Sequence, residues 1–209
     1  MKLPSTVMEN AVNSFARLPG IGKKTALRLV LHMMKQDKDV VQGFSESMLR
    51  LKDSIHYCVK CHNISEAELC SICSSGSRNK QLICVVAGLR DLLAIENTQQ
   101  YNGTYHIIGG VISPVEGIGP EALQIDSLLN RLKNEDVNEL IMALNPTIEG
   151  DTTSFYIAGQ VKRSHPEMKI STIARGVAFG GDLEYTDEIT LARSLAARLP
   201  YRINKEDEW

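Results

Sequence analysis

Four of the five cysteines stand in two tight pairs, Cys58-x2-Cys61 and Cys70-x2-Cys73, with eight residues between the pairs. Two such knuckles supply four thiolates to one tetrahedral Zn2+. A complete sulfur set leaves no open position for a catalytic water, so the expected ion is structural, one per chain. Paired thiols at this spacing also point to a reducing compartment rather than a disulfide framework. His56 and His62 lie close by, but four sulfurs already satisfy zinc, so each reads as a surface residue or a neighbour of the ligands. Cys84 sits inside an apolar run and reads as a small core residue.

A second group of residues suits a different chemistry. Leu18-Pro19-Gly20-Ile21-Gly22 is followed by Lys23, Lys24 and Arg28. A glycine turn that opens a helix leaves the first N–H groups of that helix unpaired, and Gly20 and Gly22 let a phosphate approach the backbone closely. The cations then lie where the helix dipole already favours anions. Gly20, Gly22, Lys23, Lys24 and Arg28 are therefore the candidate DNA-binding residues, and the segment resembles the helix-hairpin-helix motif, which implies a sequence-independent grip on the sugar-phosphate backbone. A Walker A loop is excluded: Arg17 stands where its first glycine belongs, Lys24 where its Ser/Thr belongs, and no strand precedes.

These groups need elements to hold them. Val7, Val12, Phe15 and Leu18 recur at near-helical spacing after Ser5 or Thr6 and predict a helix that ends before Pro19-Gly20. Ala26, Leu27, Leu29, Val30 and Leu31 predict a second helix over 23–34, and residues 39–55 a third, with Gly43 as its weak point. Residues 56–78 lose this periodicity and mark a small loop-rich module. Beyond it the pattern alternates. Strands are expected at Gln81–Ala87, Tyr105–Ile108, Glu139–Leu144 and Lys169–Ala174, with helices at Asp91–Asn97, Glu121–Leu132 and Thr152–Arg163. Such β-α-β alternation predicts a mostly parallel sheet covered by helices. A glycine-bearing loop, Gly176 to Asp182, leads to a last helix over about 187–198, and the acidic end, Lys205 to Trp209, is expected to fray.

Charge sharpens the division. The chain of 209 residues carries a formal charge of −2, but residues 1–60 hold ten of its 23 Lys/Arg and only five of its 25 Asp/Glu. A basic head thus precedes an acidic body, which favours local, backbone-directed contact with nucleic acid over a uniformly basic coat. No apolar run approaches the ~20 residues of a membrane span. The start, MKLPSTVMEN, lacks the apolar core of a secretion signal, so a cytoplasmic protein is expected.

With these motifs in this order, the sequence resembles the RecR family along nearly its whole length. Further matching stretches are Ala94-Ile95-Glu96, HIIGGVISPVEGIGPEAL from His106 to Leu123, NPTIEGDTT from Asn145 to Thr153, and GGDLEYTD from Gly180 to Asp187. The resemblance implies a multi-domain α/β chain. A helix-hairpin-helix head over 1–54 is followed by a four-cysteine zinc finger over 55–78, a Toprim domain over 79–175 and a C-terminal segment with a Walker B-like loop and helix over 176–209. It also implies a homo-oligomer, usually a tetrameric ring. This ring works with RecO, and in some settings RecF, to help RecA displace single-strand-binding protein on single-stranded or gapped DNA.

Toprim domains also build topoisomerases, primases and nucleases, which hold magnesium with a glutamate after the first strand and a D-x-D pair after a later one. Here Ala87 falls about where the glutamate would be, and Asn145-Pro146-Thr147 aligns with the pair. The metal site reads as dismantled, and no enzyme is expected. A magnesium-dependent nuclease or topoisomerase-like enzyme is the first alternative, and a zinc adaptor without DNA contact the second. The surviving acids Glu149 and Asp151, expected at an exposed strand-to-helix loop, are candidates for a RecO-facing surface. The bland alternative is that Asp151 simply precedes and caps a helix. Arg175 stands where many relatives have histidine, and Ala178-Phe179 where they favour proline and an aliphatic residue. Without a phosphate loop, the aspartate of the last loop gives no support for ATP hydrolysis.

Overall fold

A computed structural model describes residues 3–200, so the acidic end expected to fray lies outside the described residues. Two compact units divide the chain, one running to Ile55 and the other beginning at His56.

The first unit is helical: α1 (Thr6–Ala16), α2 (Lys23–Met33) and α3 (Lys38–Ser54). Val12 of α1 meets Ala26 and Val30 of α2, four residues apart on one helical face, and these three make the buried centre. Phe15 and Ile21 pack on them. α3 buries no residue fully, although its Phe44 ring stacks on Phe15 with centroids 6.5 Å apart. α3 also runs unbroken through Gly43. One interior glycine costs only about 1 kcal/mol, and the surrounding Gln, Glu, Met, Leu and Arg favour the helix.

The second unit opens with β1 (His56–Tyr57) antiparallel to β2 (Ile64–Ser65) and a single turn, α4 (Ser71–Ser74). β3 (Asn79–Val86), α5 (Leu89–Glu96), β4 (Gly103–Ile107), α6 (Ile125–Asn134), β5 (Glu139–Met142), α7 (Ile148–Ser164) and β6 (Lys169–Thr172) follow, and α8 (Glu188–Ala196) ends the described elements. The four long-range strands are all parallel in the order β4-β3-β5-β6. β3 sends alternate side chains to opposite faces, as the two-residue strand period requires. Ile83 and Val85 join Leu128 and Leu132 of α6 and Ile157 and Val161 of α7 on one side. Cys84 and Val86 join Leu92 of α5 on the other. Cys84 is thus a core residue, and burial pushes its thiol up to about 12.

Two helices depart from the sequence expectation. The one expected over 121–132 breaks into a 3-10 turn at Pro120–Ala122 and α6 from Ile125, because Leu123 is extended and the Gln124 N–H donates to Ile108 O at 2.9 Å instead of to a helical carbonyl. The helix expected from Thr152 begins at Ile148. Thr147 caps it by accepting the Gly150 N–H at 3.1 Å, and a Cβ at Gly150 would collide with the Asn145 carbonyl, so glycine permits the close turn. None of the described helices is long and apolar enough to cross a membrane.

Candidate nucleic-acid interface and metal centre

The α1–α2 turn is built by backbone bonds. Leu18 N–H donates to Phe15 O and Ile21 N–H to Leu18 O, each at 3.1 Å, while Gly20 takes a φ of +77°, a region that side-chain-bearing residues rarely enter. Gly22 occupies the N-cap of α2 and offers no side chain to close it. The first turn of α2 therefore has no acidic residue and no side-chain cap. Lys23, Lys24 and Arg28 are exposed around that open end, and none forms an ion pair among the described residues. The sequence expectation omitted two residues: Lys24 and Arg28 share a shallow depression of about 370 Å3 with His32 and Lys35. The 24, 28, 32, 35 spacing of one helical face was the available signal.

The knuckles converge as the spacing predicts. The Sγ atoms of Cys58, Cys61, Cys70 and Cys73 lie within 4.8 Å of one another, and all four residues are buried. Four thiols so enclosed cannot all be well solvated. Cys61 Sγ and Cys70 Sγ approach to 3.5 Å, and hydrogen bonding with Cys61 lowers the pKa of the Cys73 thiol while that bond and burial raise that of Cys61. One metal ion answers both demands, and a buried set of four soft sulfurs fits zinc as the group that the cluster would hold. His56 stays exposed, but His62 does not simply face solvent. With φ at +61° it swings its ring toward the sheet, where Nε2 pairs with Ser127 Oγ at 2.7 Å and the ring meets His106 edge to face at 5.2 Å.

Behind the knuckles lies a polar network that sequence reasoning missed. Arg131 of α6 is only 6% exposed and donates to Tyr105 O at 2.7 Å, to Thr104 Oγ1 at 2.9 Å and to Glu135. Glu135 also pairs with Lys60 of the knuckle at 3.0 Å. His106 is buried, its Nε2 on Gln124 O at 3.0 Å and its Nδ1 without a partner, and burial lowers its pKa to about 3, so the ring is neutral. Arg78 grips Glu96 bidentately, and Tyr105 OH adds a bond to the same carboxylate at 2.7 Å. An arginine in the sequence carries no sign that it will be buried.

The carboxyl ends of the strands hold the remaining candidates. β3 and β5 are adjacent, and the chain order reverses between them, which is where parallel sheets open a crevice. Ala87 leaves β3 there, and Asn145 to Thr147 leave β5 there, with no carboxylate among them. Glu149 and Asp151 are not in a loop before the helix: both lie in the first turn of α7, and Thr147, not Asp151, is its cap. Glu149 is exposed, whereas Asp151 forms an ion pair with Arg175, whose guanidinium hydrogen bonds hold the carboxyl below its usual range. Arg193 shares with this pair a cavity of about 610 Å3 walled by Ile148, Ile173 and Ile189. Gly180 adopts a φ of +82° in the last loop, and Phe179 is fully exposed.

Comparison with known proteins finds matches along most of the chain. Residues 8–52 match the family profile described as RecR, helix-hairpin-helix, and residues 55–75 the RecR profile for a four-cysteine zinc-finger domain. Residues 81–174 match the Toprim domain, and 176–198 the RecR C-terminal profile. The chain is 53% identical over 208 residues to the recombination protein RecR of Cytophaga hutchinsonii, covering 99% of this chain and all of that one. It is 54% identical over 195 residues to the RecR of Phocaeicola vulgatus, covering 93% and 94% of the two chains. With the RecR of Flavobacterium johnsoniae it shares 52% identity over 201 residues, 96% and 97% of the two chains.

Proposed function

The chain belongs to the RecR family, and from that premise we propose that it is a cytoplasmic, non-catalytic mediator of recombinational DNA repair. It holds DNA through Gly20, Gly22, Lys23, Lys24 and Arg28, and with RecO, and RecF in some settings, helps load RecA on single-stranded or gapped DNA covered by single-strand-binding protein. The observation that carries this reading is the start of α2, without a side-chain cap and ringed by exposed cations that form no ion pair among the described residues. Backbone N–H groups, a helix dipole and lysines together recognise phosphate and ignore base identity.

One head reaches few phosphates, so its grip is weak. A tetrameric ring would make the later contacts intramolecular and raise the avidity without any new chemistry. The absence of carboxylates at Ala87, Asn145 and Thr147 supports the non-catalytic part, since Mg2+ needs hard oxygen ligands. In this reading Glu149, exposed at the start of α7, faces RecO, with Asp151 contributing less because Arg175 already engages it.

The decisive experiment is the Lys23→Glu, Lys24→Glu double variant. DNA affinity is expected to fall steeply while the thermal midpoint stays put, and the slope of log affinity against log salt should shrink by about 0.9 for each duplex phosphate that the variant no longer neutralises. Unchanged affinity and slope would leave a zinc adaptor without DNA contact. Glu149→Lys should weaken capture by RecO with the oligomer intact, and full capture would remove that surface from the proposal.

A further inference from the structure

The two edges of the parallel sheet are unlike. β6 lies open, with Lys169 and Thr172 exposed. β4 is also a terminal strand, yet all five of its residues, Gly103 to Ile107, are buried.

What buries it is the knuckle and the side chains behind it. The Ile107 N–H, pointing away from β3, donates to the carbonyl of Cys61 at 2.9 Å, and the outward Tyr105 carbonyl accepts from Arg131 at 2.7 Å. Three consecutive knuckle residues each touch the body. Lys60 pairs with Glu135, Cys61 accepts from β4, and His62 reaches Ser127 and His106. Cys61 is at the same time one of the four clustered sulfurs, so the carbonyl that closes the edge belongs to a residue that a bound metal would fix.

The composition of β4 points the same way. Exposed edges protect themselves with lysine, proline, bulges or brevity. Lys169 supplies such a charge on the four-residue β6. The β4 segment, Gly-Thr-Tyr-His-Ile, holds no proline and no permanent charge and is rich in strand formers. It is a sequence suited to a covered strand and hazardous on an open one.

We infer that the four-cysteine knuckle is a metal-dependent cap on the β4 edge, and that release of zinc turns this edge into a strand-pairing surface for a second copy of the chain. The coupling runs in both directions, because whatever favours docking of the knuckle also favours the conformation that binds zinc. Lys60, His62 and Ser127 therefore tune metal affinity although none is a ligand. Such outer contacts typically change affinity about 10- to 100-fold. The inference rests on the zinc centre and is independent of the DNA-binding proposal.

Amide hydrogen exchange of the full zinc-loaded chain, followed before and after zinc is withdrawn with a chelator and its loss assayed, tests the cap. Exchange at Ile107, whose N–H the knuckle accepts, should accelerate more than tenfold while Leu140 to Met142 of the interior strand β5 stay protected, and sedimentation should show a mean mass rising with protein concentration beyond that of the zinc-loaded form. Protection retained at Ile107 would overturn the inference. So would equal loss at β5, which would mean that zinc holds the whole sheet, or an exposed β4 with no gain in mass. A His62→Gly, Ser127→Ala variant loosens the dock but keeps all four thiols, and glycine suits the positive φ at position 62. It should bind zinc about 10-fold more weakly or worse and exchange faster at Ile107 with metal present. Wild-type values for both would equally overturn it.

Discussion

The body of this RecR-family protein contains two places where a metal would be expected, and they have opposite fates. At the knuckles four soft sulfurs are gathered, buried and tied to the sheet through Cys61 and Lys60. At the carboxyl ends of β3 and β5, the positions that would carry hard oxygen ligands are Ala87, Asn145 and Thr147, and Asp151 has been given a guanidinium instead. The first site ties parts of the chain together, whereas the second has no carboxylate at those three positions although the strands that would present them are in place.

The largest effect that bears on this contrast is expected from Cys70→Ser. Removing one of four ligands forfeits most of a binding energy that reaches the order of 10 kcal/mol in small zinc modules, so zinc content should drop below one ion per chain and the thermal midpoint should fall steeply. A variant with unchanged melting would mean that the knuckle is ornamental.

Arg131→Met comes next. It strands the Tyr105 carbonyl in a buried setting, at about 1–3 kcal/mol, and takes one bond from the Thr104 hydroxyl, which still donates to Leu82 O. Denaturant unfolding should register a loss of that order, although no cysteine has been touched.

The two arginine–carboxylate pairs give a finer comparison. Glu96, bonded by Arg78 and Tyr105, is about a quarter exposed, and Asp151, bonded by Arg175, is 42% exposed. Both carboxyls are held below their unfolded values, Glu96 first by the Arg78 hydrogen bonds and Asp151 first by those of Arg175. Each therefore contributes stability that is complete above the unfolded pKa and is lost as pH falls through the lower, folded one. Glu96→Gln should lower stability at neutral pH and flatten the acid limb of a stability–pH curve. Asp151→Asn should cost about 0–1 kcal/mol, as an open pair does. Equal losses would erase the distinction between the two environments.

The smallest expected effect is that of magnesium on the wild-type chain: no change in melting and no DNA cleavage. A rebuilt chain with Ala87→Glu, Asn145→Asp, Thr147→Asp and Arg175→Ala should instead gain a Mg2+-dependent rise in melting temperature. Strand scission by the unaltered protein, abolished by changes within residues 81–174, would dissolve the contrast altogether.

Legibility in the sequence followed the range of the forces involved. The cysteine spacing, the glycine turn before Lys23 and the continuous apolar run of β3 are local codes, and each reads directly. The boundaries that slipped did so where a distant or polar partner intervened: the Ile108 carbonyl took the Gln124 N–H, and Thr147 started α7 four residues early. His62 shows the limit clearly, for nothing in its neighbourhood along the chain announces a left-handed residue aimed at Ser127, 65 positions away.

The sequence by itself determined the chemistry on offer: four thiolates for one zinc, a glycine-turned helix start beside Lys23, Lys24 and Arg28, and a Toprim frame with Ala87, Asn145 and Thr147 where three of its acids would stand. Side-chain type and short-range spacing carry that information, because ligand sets and turns are closed within a few residues. Only the tertiary structure decided which groups those parts would meet. That Arg131 lies buried against β4, that Arg175 neutralises Asp151, and that a zinc ligand's carbonyl closes the edge of the sheet all depend on hydrogen bonds between segments far apart in the chain. Such bonds are fixed by packing, which brings unlike neighbours together and makes every enclosed polar group find a partner.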